Sequence, residues 1–364
     1  MSERRVIVIG GGLAGISAAI ALRETGAAVT LLEARPRLGG ATTSFRRGEL
    51  AIDNGQHVYL ACCTAYRALL DRLGVSASAP LQDRFDVTVL APGRTARLRR
   101  TQLPGPLQLG KAMATYRHLS LAERAGAARA TLGMRFLNPE DPATDEKRLG
   151  DWLAAHGQSE HARRALWDLF TVSTMNIAGD DASLALAAKV VQTALIGKRD
   201  AADIGWAGIP LGELHGTASA RLLARLGAEV RLATSAVAVT PAAGGGLTVR
   251  AASGADREET DLAADGVVVA LPPAAADRLL PPEAGSGRGP RWAPRRSSTC
   301  TSSTTGRSPT CRWPPRWTPR CSGCSTRPRR PVSPTASTWR CRCPLRTATS
   351  TCRPRSCASS SCPR

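Results

Sequence analysis

Three glycines, Gly10, Gly12 and Gly15, fall at the spacing G-x-G-x-x-G, and Glu33 follows the last of them by 18 residues. Residues of these types at this spacing can hold the ADP half of a dinucleotide. Gly10 permits a tight turn, Gly12 lets the backbone approach a pyrophosphate, and Gly15 lets a helix pack close against a strand. Leu13 and Ala14, inside the pattern, bring their N–H groups to a helix N-terminus. There free donors and the positive end of the helix dipole meet phosphate. A carboxylate at Glu33 can accept hydrogen bonds from ribose hydroxyls.

The glycine spacing alone is weak evidence, and the elements around it make it strong. Val6-Ile7-Val8-Ile9 is a continuous apolar run, the pattern of a parallel strand buried on both faces. Ile16 to Arg23 is rich in Ala and Leu and reads as a helix, Gly26 ends it, and Val29-Thr30-Leu31-Leu32 is a second strand that runs into Glu33. Strand, glycine turn, helix, strand and acid in that order predict a Rossmann-type βαβ unit.

The next ten residues, Glu33-Ala34-Arg35-Pro36-Arg37-Leu38-Gly39-Gly40-Ala41-Thr42, resemble the EAR-x-R-x-GG extension of the amine-oxidase and phytoene-desaturase flavoproteins. That resemblance implies FAD as the cofactor. It implies that Ala34, Arg35, Gly39, Gly40 and Ala41 wrap the pyrophosphate, with Arg35 neutralising charge. Asp53-Asn54-Gly55-Gln56-His57 resembles, more narrowly, the squalene-associated flavoproteins of hopanoid biosynthesis, the hydroxysqualene dehydroxylases. In them a loop at this position lies beside the flavin, which makes Gly55 and Gln56 cofactor contacts. Asp151-Trp152-Leu153 with His156-Gly157-Gln158, then Trp167, Met175-Asn176, and Gly208 to Leu214, resemble further stretches of that group. The resemblance covers roughly residues 5–285, and it also puts Val237 where backbone groups touch adenine; an ordinary core valine is the competing reading.

The resemblance implies reductive removal of the allylic hydroxyl of hydroxysqualene, giving squalene. His57 and Asp53 are the candidate acids that help hydroxide leave, although holding the loop through backbone N–H groups is the better expectation for Asp53. His118, His156, His161 and His215 have no constellation around them in the sequence and read as surface or packing residues. No metal-ligand spacing occurs in the body of the chain.

The implied fold class is α/β, a Rossmann-type FAD-binding domain interleaved with an α+β substrate domain. The FAD-binding domain would take residues 1–70 and a β-rich second part at 206–285. A mostly helical lipid-binding domain would fill 71–205. Ser120-Leu121-Ala122-Glu123 is a capping box opening a helix to about Phe136. Leu103-Pro104 to Leu119 has apolar and basic positions at helical spacing, as either a core-facing helix or a membrane-resting one. Gly227 to Leu232 reads as a short strand, Ser235–Val239 and Leu247–Ala251 as a hairpin around Gly244-Gly245-Gly246, and Val267 to Leu271 as a buried strand.

The net charge of +20 invites a nucleic-acid partner, but its position argues otherwise. Sixteen arginines lie between Gly289 and Arg364, with no Lys, Asp or Glu among them, so the first 288 residues are close to neutral. Nine of the eleven cysteines lie in the same stretch, which has one Val, one Leu and no Ile, Phe, Met or Tyr. Such a segment buries too little apolar area to offset its ordering entropy, so residues 286–364 are expected to be disordered or non-native. Shifted by one base, Ser298 to Gly306 reads Val-His-Val-His-Val-Val-Tyr-Asp-Arg with suitable third bases, an alternating strand and a turn. A frame slip near residues 285–297 is therefore expected. The C-terminal glycine-rich flavin segment of the resembled family has no counterpart here, so the chain as written is expected to be inactive.

No secretory leader is read at Met1–Arg5, and no apolar run is long enough to span a membrane. The expected location is cytoplasmic, with peripheral contact at the inner face of the cell membrane. The expected partners are an isoprenoid lipid and an external electron donor, with no specific nucleic acid. A carotenoid desaturase, an amine oxidase, and a non-catalytic basic-tailed binding protein stay open as alternatives.

Overall fold

The computed structural model describes residues 3–55, 57–103, 105–254, 256–280, 298–302 and 339–343. Its first strand shows why the sequence pattern is continuous rather than alternating. In β1 (Arg5–Ile9) the side chains of Val6 and Val8 enter one cluster and those of Ile7 and Ile9 another, on the opposite face of the sheet. Both faces are covered, so every position after Arg5 is apolar. Burial of each such side chain stabilises the fold by about 1.5–3 kcal/mol.

After β1 come α1 (Leu13–Glu24) and β2 (Ala28–Leu32). A small ribbon follows, made of β3 (Ser44–Arg47) and β4 (Leu50–Asp53), and then β5 (Val58–Leu60) and α2 (Thr64–Leu73). Strands β6 (Asp86–Ala91) and β7 (Arg94–Arg99) form a hairpin. The middle of the chain is helical: α3 (Gly110–Ala114), α4 (Leu121–Met134), α5 (Pro142–Asp145), α6 (Leu149–Ala155), α7 (Glu160–Ala162), α8 (Asp168–Met175) and α9 (Leu184–Val190), with π-helical turns at Arg163–Trp167 and Val191–Ile196. Strand β8 (Ile204–Trp206) returns to pair with β5. A π-helical turn at Gly212–Thr217 runs into α10 (Ala218–Arg225). Strands β9 (Glu229–Arg231), β10 (Thr234–Pro241), β11 (Leu247–Ser253), β12 (Glu258–Ala264) and β13 (Gly266–Val269), then α11 (Pro273–Leu279), complete the β-rich part.

The main sheet has the order β13-β1-β2-β9, all parallel. Helices α1, α2 and α10 cover one face through Ile16, Ile20, Leu69, Leu73 and Leu223. The antiparallel sheet β10-β11-β12 covers the other through Val239, Val249 and Ala251. The chain leaves β1 for β2 on one side, while β13 arrives on the other from the far end of the sequence. The carboxyl end of β1 is thus a topological switch point, the place where open α/β sheets bind ligands.

A separate cluster around Tyr116, Met134, Leu149, Leu153, Trp167 and Leu184 holds the helical layer together. The capping box of α4 is present in both directions between Ser120 and Glu123. Two expectations are corrected. The stretch from Leu103 to Leu119 is no continuous helix: a 3-10 turn at Gly105–Leu109 and the five-residue α3 replace it. Gly110 at the start and the sparse hydrogen bonding of a 3-10 turn break the period. The hairpin at Gly244–Gly246 is longer than its apolar core and gains β12, whose Glu258, Glu259 and Asp261 hid it from an apolar reading.

Of the tail, Ser298–Ser302 (β14) and Trp339–Cys343 (β15) pair antiparallel. The rest of residues 286–364 lies outside the described residues.

Candidate functional site

The glycine turn at the end of β1 is shaped by three close approaches. Gly10 has φ +107°, a conformation that L side chains avoid, and a Cβ there would sit 2.5 Å from the Ala270 carbonyl oxygen. A Cβ on Gly15 would lie 1.8 Å from the Gly10 carbonyl oxygen, so helix and turn meet at a distance only glycine permits. Gly12 differs: it is the N-cap of α1, has φ −76°, and a Cβ there would meet nothing within 4 Å. Its smallness therefore serves something other than packing within the chain.

The N–H groups of Leu13, Ala14 and Gly15 follow Gly12 in the first turn of α1, where no intrahelical acceptor exists. No capping side chain and no acidic residue competes for them. Open space before Gly12 and uncapped donors behind it fit a pyrophosphate, the group that the sequence pattern calls for.

The Glu33 carboxylate is buried and already engaged. Oε2 accepts from the Gly11 N–H at 2.7 Å, and Oε1 accepts from the Arg35 N–H at 2.8 Å. Glu33 thus splints the glycine turn to the following loop, and a carboxylate keeps lone pairs for a ribose hydroxyl besides. The loop itself lies on the turn. Gly39 N–H donates to the Gly11 carbonyl at 2.8 Å, and a Cβ on Gly40 would fall 2.9 Å from Gly12 Cα. Arg35 is exposed and donates to the Gly40 carbonyl at 3.2 Å; Ala34 and Ala41 are exposed, and the Ala41 carbonyl accepts from Asn54 Nδ2 at 3.0 Å.

Asp53 ends β4. Its Oδ1 accepts from Ser44 Oγ at 2.6 Å and from the Leu211 N–H at 3.0 Å, while Ser44 Oγ also accepts from the Gly212 N–H at 2.9 Å. The carboxylate thus binds the start of the Gly212–Thr217 turn to the β3–β4 ribbon. Gly55 has φ +94° and makes the bend after β4. His57 is exposed, with Nε2 3.3 Å from the Asn54 carbonyl oxygen. Gln56 lies outside the described residues. Val237 sits at a bulge: the register of β10 with β11 shifts between Ala236 and Ala238, leaving Val237 without a ladder partner and 37 % exposed. It is no core valine.

The stretches at Trp152, Gln158, Trp167 and Asn176 belong to the scaffold. Gln158 is buried and its Oε1 accepts from Trp167 Nε1 at 3.1 Å. Asn176 is the left-handed C-cap of α8, and His156 stacks on Trp152 with ring centres 3.8 Å apart. His118 is buried with Nε2 3.1 Å from the Val89 carbonyl oxygen, and His161 pairs with Glu123 at the surface.

His215 is a different matter, and sequence reasoning missed it. It is 1 % exposed, and its Nε2 is 2.8 Å from the Tyr66 hydroxyl. Burial, and secondarily the charge of His57, push the imidazole down to about 4; burial pushes the Tyr66 phenol up to about 12. Both groups are neutral across the physiological range. The two residues stand 149 positions apart in the chain, and no spacing rule links them. The one available signal was a histidine set among apolar residues of a helix.

Among the described residues no cluster of His, Cys, Asp and Glu could hold a metal, and no helix is long and apolar enough to cross a membrane.

A family model described as flavin containing amine oxidoreductase matches residues 13–304. Hydroxysqualene dehydroxylase of Rhodopseudomonas palustris is 30% identical over 292 residues, 77% of this chain and 64% of that protein. Zeta-carotene desaturase of Zea mays is 28% identical over 176 residues, 45% of this chain and 31% of that protein. The fold is similar to that of an oxidoreductase from Methanosarcina mazei, with TM-score 0.56 and 18% identity, over 78% of this chain and 62% of that one. The chain thus spans between about a third and two thirds of the length of these relatives.

Proposed function

We propose, from the premise that this chain belongs to the flavin containing amine oxidoreductase family and takes FAD as its cofactor, that it is an oxidoreductase of isoprenoid lipids which removes the hydroxyl of hydroxysqualene to give squalene. The observation that supports this reading is the likeness to a hydroxysqualene dehydroxylase, 30% identical over 77% of this chain, beside the resemblance of the Asp53–His57 and Gly208–Leu214 stretches to that group. The chemistry supplied by reduced flavin, when bound, is a hydride for an allylic carbon.

The chain's own residues do the rest. The first turn of α1 and the Gly39–Gly40 loop hold the pyrophosphate, and Glu33 the ribose. Asp53 fixes the loop from which His57 projects, and His57, exposed on that loop, supplies the proton that lets hydroxide leave. Asp53, with one oxygen committed to Leu211 and Ser44, is the weaker candidate for that proton. Leu121 and Leu132, three turns apart on one face of α4, are 79 % and 46 % exposed, and Phe136 beyond its end is 85 % exposed. This apolar face suits peripheral contact with the inner face of the cell membrane, from which an isoprenoid would enter. The electron donor would be an external reductant.

The test is product analysis by mass spectrometry after anaerobic incubation of the flavin-loaded chain, its reading frame restored beyond residue 285, with a reductant and hydroxysqualene. Squalene is the expected product; unchanged substrate from a chain that holds FAD would overturn the reading. The likeness to a zeta-carotene desaturase favours a second reading, carotenoid desaturation, and supplying zeta-carotene with an electron acceptor in a parallel incubation separates the two.

A further inference from the structure

The turn at Gly212–Thr217 is distorted along its length and anchored at both ends. It is π-helical, a widened turn that costs hydrogen-bond geometry and recurs at functional sites. At its start, the Leu211 and Gly212 N–H groups are held by Asp53 and Ser44. Near its end, Gly216 presses on the cofactor loop: a Cβ there would lie 2.7 Å from the Leu38 carbonyl oxygen, and one on Gly39 would lie 3.6 Å from the Gly216 nitrogen. Between these anchors stands His215, immediately beside Gly216 and bound to Tyr66 on α2.

The pair is built into an apolar cluster of Leu70, Ala79 and Leu214, with Tyr59 and Ile209 packed on it. Tyr66 meets the Tyr59 ring edge to face at 5.1 Å, and the Tyr59 hydroxyl donates to the Ala79 carbonyl. The phenol is a stronger acid than a neutral imidazole N–H, so Tyr66 is assigned as donor to Nε2, and the ring proton stays on Nδ1. Nδ1 makes no hydrogen bond of good geometry among the described residues, and the Leu211 backbone, one turn back, acts on the ring besides Tyr66. Polar groups buried in this way are retained at a cost, and the cost points to a role beyond packing.

We propose that His215 is a positioning residue of the flavin site: held by Tyr66, it fixes the Gly212–Gly216 turn between Asp53 and the Leu38–Gly39 loop, so that this loop is set in place before the cofactor arrives. His215 is 1 % exposed, so it acts through the turn. The inference rests on the FAD reading of the glycine turn, and it names side chains outside every dinucleotide pattern.

The experiment compares FAD dissociation constants, by quenching of flavin fluorescence well below the melting temperature, for the full chain and for Tyr66→Phe, His215→Phe and His215→Gln. Loss of the one hydrogen bond predicts weakening of about 3- to 10-fold in Tyr66→Phe and in His215→Phe. The double variant should be no worse than either single one, because both remove the same bond. His215→Gln keeps an acceptor for the phenol and should recover part of the loss. Folded single variants that bind FAD as tightly as the unaltered chain would overturn the positioning role and leave the flavin reading intact. An unaltered chain that binds no FAD would overturn the flavin reading itself, and this inference with it. Imidazole nitrogen shifts give a readout on the unaltered chain: a neutral His215 ring at pH 6 is expected, and a protonated one would overturn the pairing.

Discussion

The Asp53 carboxylate accepts a hydrogen bond from the Leu211 N–H at 3.0 Å across 158 residues of sequence. One side chain thus joins the ribbon that follows the dinucleotide turn to the segment that leads into the Gly212–Thr217 turn. This contact separates a structural from a catalytic role for Asp53. Asp53→Asn keeps an acceptor at the same place and should retain FAD; Asp53→Ala should weaken FAD binding about tenfold or more, as expected for losing hydrogen bonds to a charged group. If Asp53→Asn abolishes turnover with FAD fully bound, Asp53 is the acid and His57 is not.

Gly12 and Gly15 should respond oppositely to the same substitution. Gly15→Ala forces a methyl onto the Gly10 carbonyl, so the melting temperature should fall steeply. Gly12→Ala meets open space at an ordinary φ, so the melting temperature without cofactor should hold within a degree or two. FAD titration of the same variant should nonetheless show a large loss, because the methyl enters the space left for pyrophosphate. Equal affinity for FAD in Gly12→Ala would mean that the phosphates bind elsewhere.

Arg100 and Asp203 form a buried ion pair, with Nε and Nη2 each 2.6 Å from a carboxylate oxygen, and Asp203 also accepts from the Phe85 N–H. The pair ties the β6–β7 hairpin to the strand that pairs with β5. Arg100→Leu leaves the carboxylate buried and uncompensated, and should cost about 3–5 kcal/mol in denaturant unfolding. Asp203→Asn with Arg100→Leu should recover part of that loss, since no charge then remains uncompensated.

His215 gives stability a defined pH dependence. Its folded value, about 4, lies below the ordinary 6.5, so between these the unfolded chain binds more protons than the folded one. The stabilisation is therefore complete above about pH 6.5 and is lost as pH falls toward 4. His57 and Asp53 on the neighbouring loop and Tyr66 on α2 are the titratable groups acting on the ring, and Tyr66 stays protonated throughout this window. The melting temperature of the unaltered chain should drop from pH 6.5 to 4, and His215→Phe should flatten that slope. Glu123 acts lower. Hydrogen bonds from Ser159 and then from the Ser120 N–H hold it at about 2, so its contribution is present above 4.5 and disappears as pH falls toward 2. A slope unchanged by His215→Phe would contradict the buried, neutral imidazole.

Resequencing the gene across the codons for residues 280–305 tests the frame slip. The expected result is a missing or extra base, after which the chain continues in apolar strands. An unaltered frame would leave the arginine-rich stretch as a true part of the chain.

The local parts of the site were legible because each is a short-range physical rule. Gly10, Gly12 and Gly15 are tied to a strand and a helix within thirty residues, and Ser120 and Glu123 to one helix turn. The apolar run at β13 gave a strand, but as a half-buried edge strand at Gly266–Val269 rather than the buried one expected over Val267–Leu271. The sequence also carried the family, because the turn and its extension to Gly40 combine chemistry with fixed spacing. Only the tertiary structure decided what those parts touch. It set β13 beside β1 and turned Val237 out at a bulge. It tied Glu33 to Gly11 and Arg35, lent Asp53 to Leu211, and buried His215 against Tyr66. Contacts between residues scores of positions apart leave no period in the sequence. They depend on how sheet and helices close on one another, and closure is a property of the packed whole.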